Sequence, residues 1–135
     1  MADNFQLEVA TPERLVIREQ VREAQIPARD GMIGVLPDHA ALVDELGTGT
    51  LTYMQRDGRT NMVVCGGFLE IRENHVRVLA DRAEKIDEID LARAQAALKR
   101  AEERLAAPAS AGIDVARALN AMHRAEARIA AAKAR

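Results

Sequence analysis

Over the first 85 residues apolar and polar positions tend to alternate, and Gly or Pro recurs about every ten residues; beyond residue 85 alanine takes over and the apolar period lengthens to that of a helix. The change falls within Ala83-Glu84-Lys85-Ile86-Asp87-Glu88-Ile89-Asp90-Leu91-Ala92-Arg93-Ala94. Two domains are therefore expected, a β domain over residues 1–85 and a helical hairpin over 86–135. In the front part Phe5-Gln6-Leu7-Glu8-Val9 alternates strictly and reads as a half-buried strand that stops at Thr11-Pro12-Glu13. Leu15-Val16-Ile17, Val21 to Ile26, Met32 to Leu36, Leu42-Val43 and Thr50 to Met54 continue the pattern, with a turn cluster at Pro27-Ala28-Arg29-Asp30-Gly31. Asp57-Gly58 marks a tight hairpin into Met62 to Cys65; Gly66 to Ile71 and Val76 to Ala80 follow. About eight to ten short strands with frequent turns, and no room for crossover helices, predict an antiparallel sandwich or flattened barrel. With the tail the fold class is α+β.

In the tail a narrow seam of Leu91, Ala94, Leu98, Ala101 and Leu105 keeps one helix edge apolar. Asp87 and Asp90 read as an N-cap and an acidic third helical residue. The run 107–112, which contains Pro108 and Gly112, breaks the helix, and Asp114 caps a second one with a seam of Val115, Ala118, Met122, Ala125, Ile129 and Ala132. The two seams predict an antiparallel hairpin. Few of the seam side chains are large, so the hairpin is weakly held when alone, while alanine favours each helix in more than one setting. A conformational switch is expected rather than a fixed lid.

Composition narrows the function. The 135 residues carry a net charge of −2 with both signs mixed, which argues against a nucleic-acid surface or a polybasic membrane anchor. The single cysteine, Cys65, excludes an internal disulfide and fits a reducing compartment. The start has no cationic segment followed by an apolar run, and no stretch approaches the ~20 apolar residues of a membrane span. Membrane association is expected only through a partner. His39, His75 and His123 have no Cys or carboxylate at zinc-ligand spacing, no nucleophile elbow or phosphate loop appears, and Glu102-Glu103 reads as a solvated helix face. No catalytic constellation and no metal site are expected.

Read together, Phe5-x-Leu7-x-Val9-x-Thr11-Pro12-Glu13, Asp30-Gly31-x-x-Gly34-Val35-Leu36-Pro37-x-His39-Ala40, Gly66-Gly67-Phe68-Leu69-Glu70-Ile71 and Val76-x-Val78-Leu79-Ala80-Asp81-x-Ala83-Glu84 resemble the epsilon subunit of the F-type, proton-translocating ATP synthase. The blocks cover the β part in order, and the tail has the expected length. Ala28 and Ala41 depart from the family, which often has glycine and proline there. The resemblance implies a non-catalytic rotor subunit of the central stalk, peripheral to the cytoplasmic face of the cell (inner) membrane. Its implied partners are the gamma subunit and the c-ring, and, with the hairpin extended, the catalytic beta and alpha subunits. By resemblance Arg29, Asp30, Gly31, Met32 and His39 occupy the segment facing the ring; the plainer reading is ordinary surface loop residues, and for His39 a structural histidine.

The resemblance also implies that the hairpin, folded down, permits ATP hydrolysis and, extended along gamma, inhibits it. Residues 107–135 carry five basic residues (Arg117, Arg124, Arg128, Lys133, Arg135) against Asp114 and Glu126, a net +3 suited to an acidic surface. Ile89-Asp90-Leu91-Ala92-Arg93-Ala94 is similar to the motif with which some epsilon subunits bind ATP, and Glu84, Arg100, Arg124 and Arg128 match its supporting positions. No cofactor is required in this reading, and ATP is a regulatory ligand: arginines would neutralise a polyphosphate while Asp90 and Glu84 accept hydrogen bonds. The competing reading has Asp90 capping the helix and Arg93 pairing with an acid. A free-standing nucleotide-sensing adaptor is the alternative to a stalk subunit.

Overall fold

The computed structural model describes residues 1–134. They divide into two compact units, Met1–Lys85 and a second that begins at Ile86. The first unit holds β1 (Phe5–Ala10), β2 (Leu15–Val21), β3 (Glu23–Ala28), β4 (Gly31–Val35), β5 (Leu42–Gln55), β6 (Gly58–Arg72) and β7 (His75–Lys85). They form one sheet in the order β2-β1-β7-β6-β5-β3-β4. Neighbours are antiparallel except β1 and β7, whose parallel register sets Leu7 beside Val76 and Val9 beside Val78. The sheet folds over one apolar cluster that draws Phe5, Leu7 and Val9 from β1, Val21 from β2, Ile26 from β3, Leu51 and Tyr53 from β5, and Leu69, Ile71, Val76 and Val78 from β6 and β7. The Gln55 Nε2 donates to the Gln20 carbonyl at 3.1 Å, which links β5 to β2, two strands that are not neighbours in the sheet.

The unit has seven strands rather than eight to ten because glycines that read as strand ends lie inside strands. β6 runs through Gly66 and Gly67, whose φ angles are +61° and +120°. Left-handed backbone at two successive residues shifts the phase of the alternation. Before the pair the core residues of β6 are Met62 and Val64; after it they are Leu69 and Ile71. β5 changes phase at the same level, with Leu46 facing the core before Gly47 and Gly49 and Leu51 and Tyr53 after them. A Cβ at position 67 would strike the Leu79 carbonyl oxygen and lie 3.0 Å from the Ala80 Cα, so β7 approaches β6 here at a distance only glycine allows.

The second unit is a helical hairpin. The sequence reading places the first N-cap at Asp87; instead Ile86–Glu88 forms a 3₁₀ turn, closed by the Ile89 N–H donating to the Ile86 carbonyl at 3.1 Å, and a 3₁₀ turn delays the α-helix by three residues. Asp90 is the cap: its backbone is extended (φ −87°, ψ 101°) and its carboxylate accepts from the Arg93 N–H at 3.0 Å. Helix α1 spans Leu91–Ala106, the chain turns through Pro108 and a left-handed Gly112, and Asp114 caps α2, Val115–Lys133, by accepting from the Arg117 N–H at 3.1 Å. The helices pack on each other. Ala94 and Ala101 on α1, and Ala118, Ala125 and Ala132 on α2, recur every seven residues and are buried. Val115, expected on the seam, is exposed, because it is the first residue of α2, in the turn of helix just past the interhelical loop.

The contact at Gly67 gives a direct test of the phase change. Gly67→Ala is expected to cost about 3–4 kcal/mol, since backbone rather than a flexible side chain must move. Gly31→Ala, at φ +136° with open space around it, should cost about 1–2 kcal/mol. Urea unfolding measures both; equal effects would mean that the β6–β7 approach is not the constraint.

Candidate functional site

The phase change determines which apolar residues of the first unit face outward. Strand register aligns Leu15 with Ala10, Ala10 with Leu79, Leu79 with Phe68, and Phe68 with Glu45. This makes an apolar row across β2, β1, β7 and β6 that ends on a carboxylate of β5. Phe68 is 59% and Leu79 49% exposed, while their chain neighbours Leu69 and Val78 are fully buried. Sequence reasoning missed this row. Its signal was present in the apolar doublets Leu42-Val43, Phe68-Leu69 and Val78-Leu79, since a strand that alternates faces must turn one member of each pair out. Exposed apolar side chains aligned over several strands mark an interaction surface.

Beside this row runs a charged one, Arg18, Glu8, Arg77, Glu70, which reaches the exposed Val43. Glu8 organises it: Oε1 accepts from Arg18 Nε at 3.1 Å and lies 3.1 Å from His75 Nε2, and Oε2 is 3.8 Å from Arg77 Nε. Partial burial pushes the Glu8 carboxyl up, but the hydrogen bonds and charges of Arg18 and His75 outweigh it and hold the pKa below its ordinary 4.5.

The expected ring-facing residues of the first unit fall into two groups at opposite ends of β4. Arg29 and Asp30 form the β3–β4 turn, followed by Gly31 and the exposed Met32. The Arg29 N–H donates to the Glu45 carbonyl at 3.0 Å, and its Nη1 donates to Glu45 Oε2 at 3.3 Å. Glu45 closes the apolar row, so the turn is continuous with it. His39 is half-buried in the β4–β5 loop, where its N–H donates to the Leu36 carbonyl at 3.2 Å and its Nδ1 lies 2.6 Å from the Ala40 carbonyl oxygen. A carbonyl only accepts, so the ring proton sits on Nδ1.

Of the nucleotide-site residues, Glu84 belongs to the first unit, on β7 opposite Val63. The other seven belong to the second. Ile89 is buried, Ala94 lies in the helix seam, and Asp90 is exposed as the α1 cap. Arg93 and Arg100, both exposed, each precede a seam alanine by one position, and the half-buried Arg124 precedes Ala125. One position is about 100° of rotation, and in an antiparallel pair the positions preceding the two seams flank the same side. Arg128 lies one turn beyond Arg124 on that flank. Four guanidinium groups therefore line one side of the hairpin, with the Asp90 carboxylate at the start of α1. Of the basic residues counted in the tail, Arg135 lies outside the described residues. Among the described residues no cluster of His, Cys, Asp and Glu could hold a metal ion, and no helix is long and apolar enough to cross a membrane.

Comparison with known proteins covers both units. Residues 4–86 match the family model for the ATP synthase delta/epsilon chain β-sandwich domain, and residues 87–133 that for its long α-helix domain. The chain is 56% identical over 109 residues to an ATP synthase epsilon chain of Solibacter usitatus, covering 81% of each. It is 50% identical over 108 residues to that of Pelotomaculum thermopropionicum, covering 78% of this chain and 80% of the relative. A chain in the cryo-EM structure of the Euglena gracilis mitochondrial ATP synthase OSCP/F1/c-ring shares the fold, with a TM-score of 0.84 at 24% identity over 97% of this chain and 82% of that one.

Because the Glu8 pKa is depressed in the folded state, the carboxylate stabilises the unit above the ordinary carboxylate range, and this contribution is lost as the pH falls through the folded pKa. Glu8→Gln should flatten the acid limb of unfolding stability below about pH 4.5. An acid limb identical to that of the unaltered protein would show that the cluster contributes nothing.

Proposed function

The chain belongs to the ATP synthase delta/epsilon chain family, and from that premise we propose that it is a rotor subunit of the central stalk that performs no chemistry itself. In this reading the β-sandwich transmits rotation. Its apolar row of Leu15, Ala10, Leu79 and Phe68 docks on the gamma subunit, and the turn at Arg29, Asp30, Gly31 and Met32, with the His39 loop, faces the polar loops of the c-ring. The protein is then peripheral to the cytoplasmic face of the membrane and is held there by its complex. The observation that carries the proposal is the row itself: aromatic and aliphatic side chains kept outside a sheet whose other face already has a complete core.

The hairpin supports a regulatory role through the size of its seam residues. The fully buried seam residues are alanines, whose methyls bury little area, and the larger Leu91, Leu98, Leu105, Met122 and Ile129 are only half-buried, so separating the helices forfeits a limited hydrophobic free energy, and alanine-rich helices persist once separated. The closed and extended forms are thus close in free energy, and a modest ligand or partner shifts the balance. The closed form permits hydrolysis; the extended form lies along gamma, reaches the beta and alpha subunits and inhibits. The arginine flank of Arg93, Arg100, Arg124 and Arg128, with Asp90 beside it, suits regulatory ATP, whose triphosphate meets the guanidinium groups while Asp90 accepts from a hydroxyl or amine.

Two measurements test these roles. Phe68→Asp leaves the core untouched and should weaken co-assembly with gamma at least about tenfold, as expected for an interface anchor; unchanged assembly would sink the docking assignment. For ATP, Asp90→Asn keeps an equally good helix cap and removes the charge. Calorimetric titration should give binding to the unaltered protein, a several-fold loss in Asp90→Asn and a larger loss in Arg93→Ala. An absence of heat at millimolar ATP would remove the nucleotide role and leave the rotor role standing.

A further inference from the structure

Non-glycine residues with positive φ number three among the described residues, Asp38 (65°), Glu73 (51°) and Asn74 (59°), and all three meet at one place. Glu73 and Asn74 are the central pair of the two-residue β6–β7 turn between Arg72 and His75, where a tight hairpin requires left-handed backbone at both positions. Asp38 lies in the β4–β5 loop, 36 residues earlier. The two segments are joined reciprocally. The Asp38 N–H donates to Asn74 Oδ1 at 2.6 Å, and Asn74 Nδ2 donates to Asp38 Oδ1 at 2.9 Å. The other carboxylate oxygen of Asp38 accepts from the Ala2 N–H at 3.1 Å, and the Asn74 carbonyl accepts from the Gln6 N–H at 2.9 Å. Hydrogen bonds from Asn74 and then Ala2 keep the Asp38 carboxyl below its ordinary 3.8, so it is an acceptor throughout the neutral range.

The left-handed conformation costs of order 1 kcal/mol or more at a non-glycine residue, least for Asn and Asp. Three such residues in one cluster, held by side chains that bond across it, indicate that a defined loop conformation is being kept. The loop carries His39 next to Asp38. We propose that the Asp38–Asn74 clasp is a positioning device that fixes the β4–β5 loop in the conformation it presents to its partner, so that Asp38 and Asn74 govern docking without being contact residues. This rests on the reading that the His39 loop faces the assembly. It also accounts for polar left-handed residues where glycine would relieve the backbone: glycine satisfies φ but cannot close the clasp.

That difference supplies the test. Asp38→Gly and Asn74→Gly both keep the backbone comfortable: Asp38→Gly deletes the arm that ends on its carboxylate and leaves its backbone N–H to donate to Asn74 Oδ1, whereas Asn74→Gly deletes both arms; Asp38→Asn tolerates positive φ and still offers Oδ1 to the Asn74 amide. In the full-length chain, backbone amide order parameters for Leu36 and for residues 38–41 should fall from about 0.85 to below about 0.6 in Asn74→Gly and by less in Asp38→Gly. The double glycine variant should be no looser than Asn74→Gly, and Asp38→Asn should keep the loop as ordered as in the unaltered protein. In reconstitution with the stalk and ring, the glycine variants should lose about tenfold in affinity, the scale of one or two hydrogen bonds. Order parameters that stay high in Asn74→Gly, which lacks both arms, would overturn the clasp and leave the docking assignment intact. A loosened loop with unaltered assembly would overturn the assignment of this loop to a partner.

Discussion

The close approach of β6 to β7 at Gly67 is the constraint on which the first unit depends. A backbone carbonyl, that of Leu79, occupies the space a side chain would need, so the two strands run as one continuous ladder from Met62–Lys85 to Arg72–His75 across the bend. Left-handed backbone at Gly66 and Gly67 then shifts the alternation. That shift lets a single long strand supply core residues to both parts of the sandwich, and it places Leu69 inside and Phe68 outside. The surface assigned to docking follows from packing: the same two glycines that close the core expose the row.

The second unit is governed by the opposite property. Where the sandwich is fixed by a contact that tolerates no side chain, the fully buried seam of the hairpin is made of alanines at seven-residue spacing, each contributing little, with larger apolar residues only half-buried beside them. Its helices begin at strong local signals, Asp90 and Asp114, whose carboxylates each accept from the backbone three residues on. Those caps and the alanine content define helices without requiring the pair to stay together. A rigid sandwich followed by a loosely closed helical pair suits the proposed rotor role with a regulatory arm.

Features that depend on neighbours in sequence were legible before the structure. The β-to-helix change near residue 86, the interhelical break at Pro108 and Gly112, the Asp114 cap and the family blocks all rest on residues within a few positions of one another. Features set by distant residues were not. Glycine reads locally as a strand end, so the local pattern splits β5 and β6 each in two, although Gly67 serves a close approach to Leu79 and Ala80 and Gly66 one to Asp81. The parallel pairing of β1 with β7 joins the first strand to the last, and no local pattern encodes it. Alternation identifies Phe68-Leu69 as a doublet but cannot say which member faces out until the phase is fixed. Asp87 and Asp90 are equally plausible caps by composition; the 3₁₀ turn at Ile86–Glu88 decides between them. The Asp38–Asn74 clasp joins two polar loop residues that carry no mark of their pairing.

The central claim is that the outward row on β6 and β7 is the face by which this chain joins the stalk. Thiol labelling tests it most directly. With Cys65 replaced by serine, single cysteines at positions 68 and 79 should react readily with a maleimide in the free chain and become protected at least about tenfold on assembly with gamma. A cysteine at Arg56, away from the row, should react equally in both states. Equal reactivity of positions 68 and 79 before and after assembly would contradict the account.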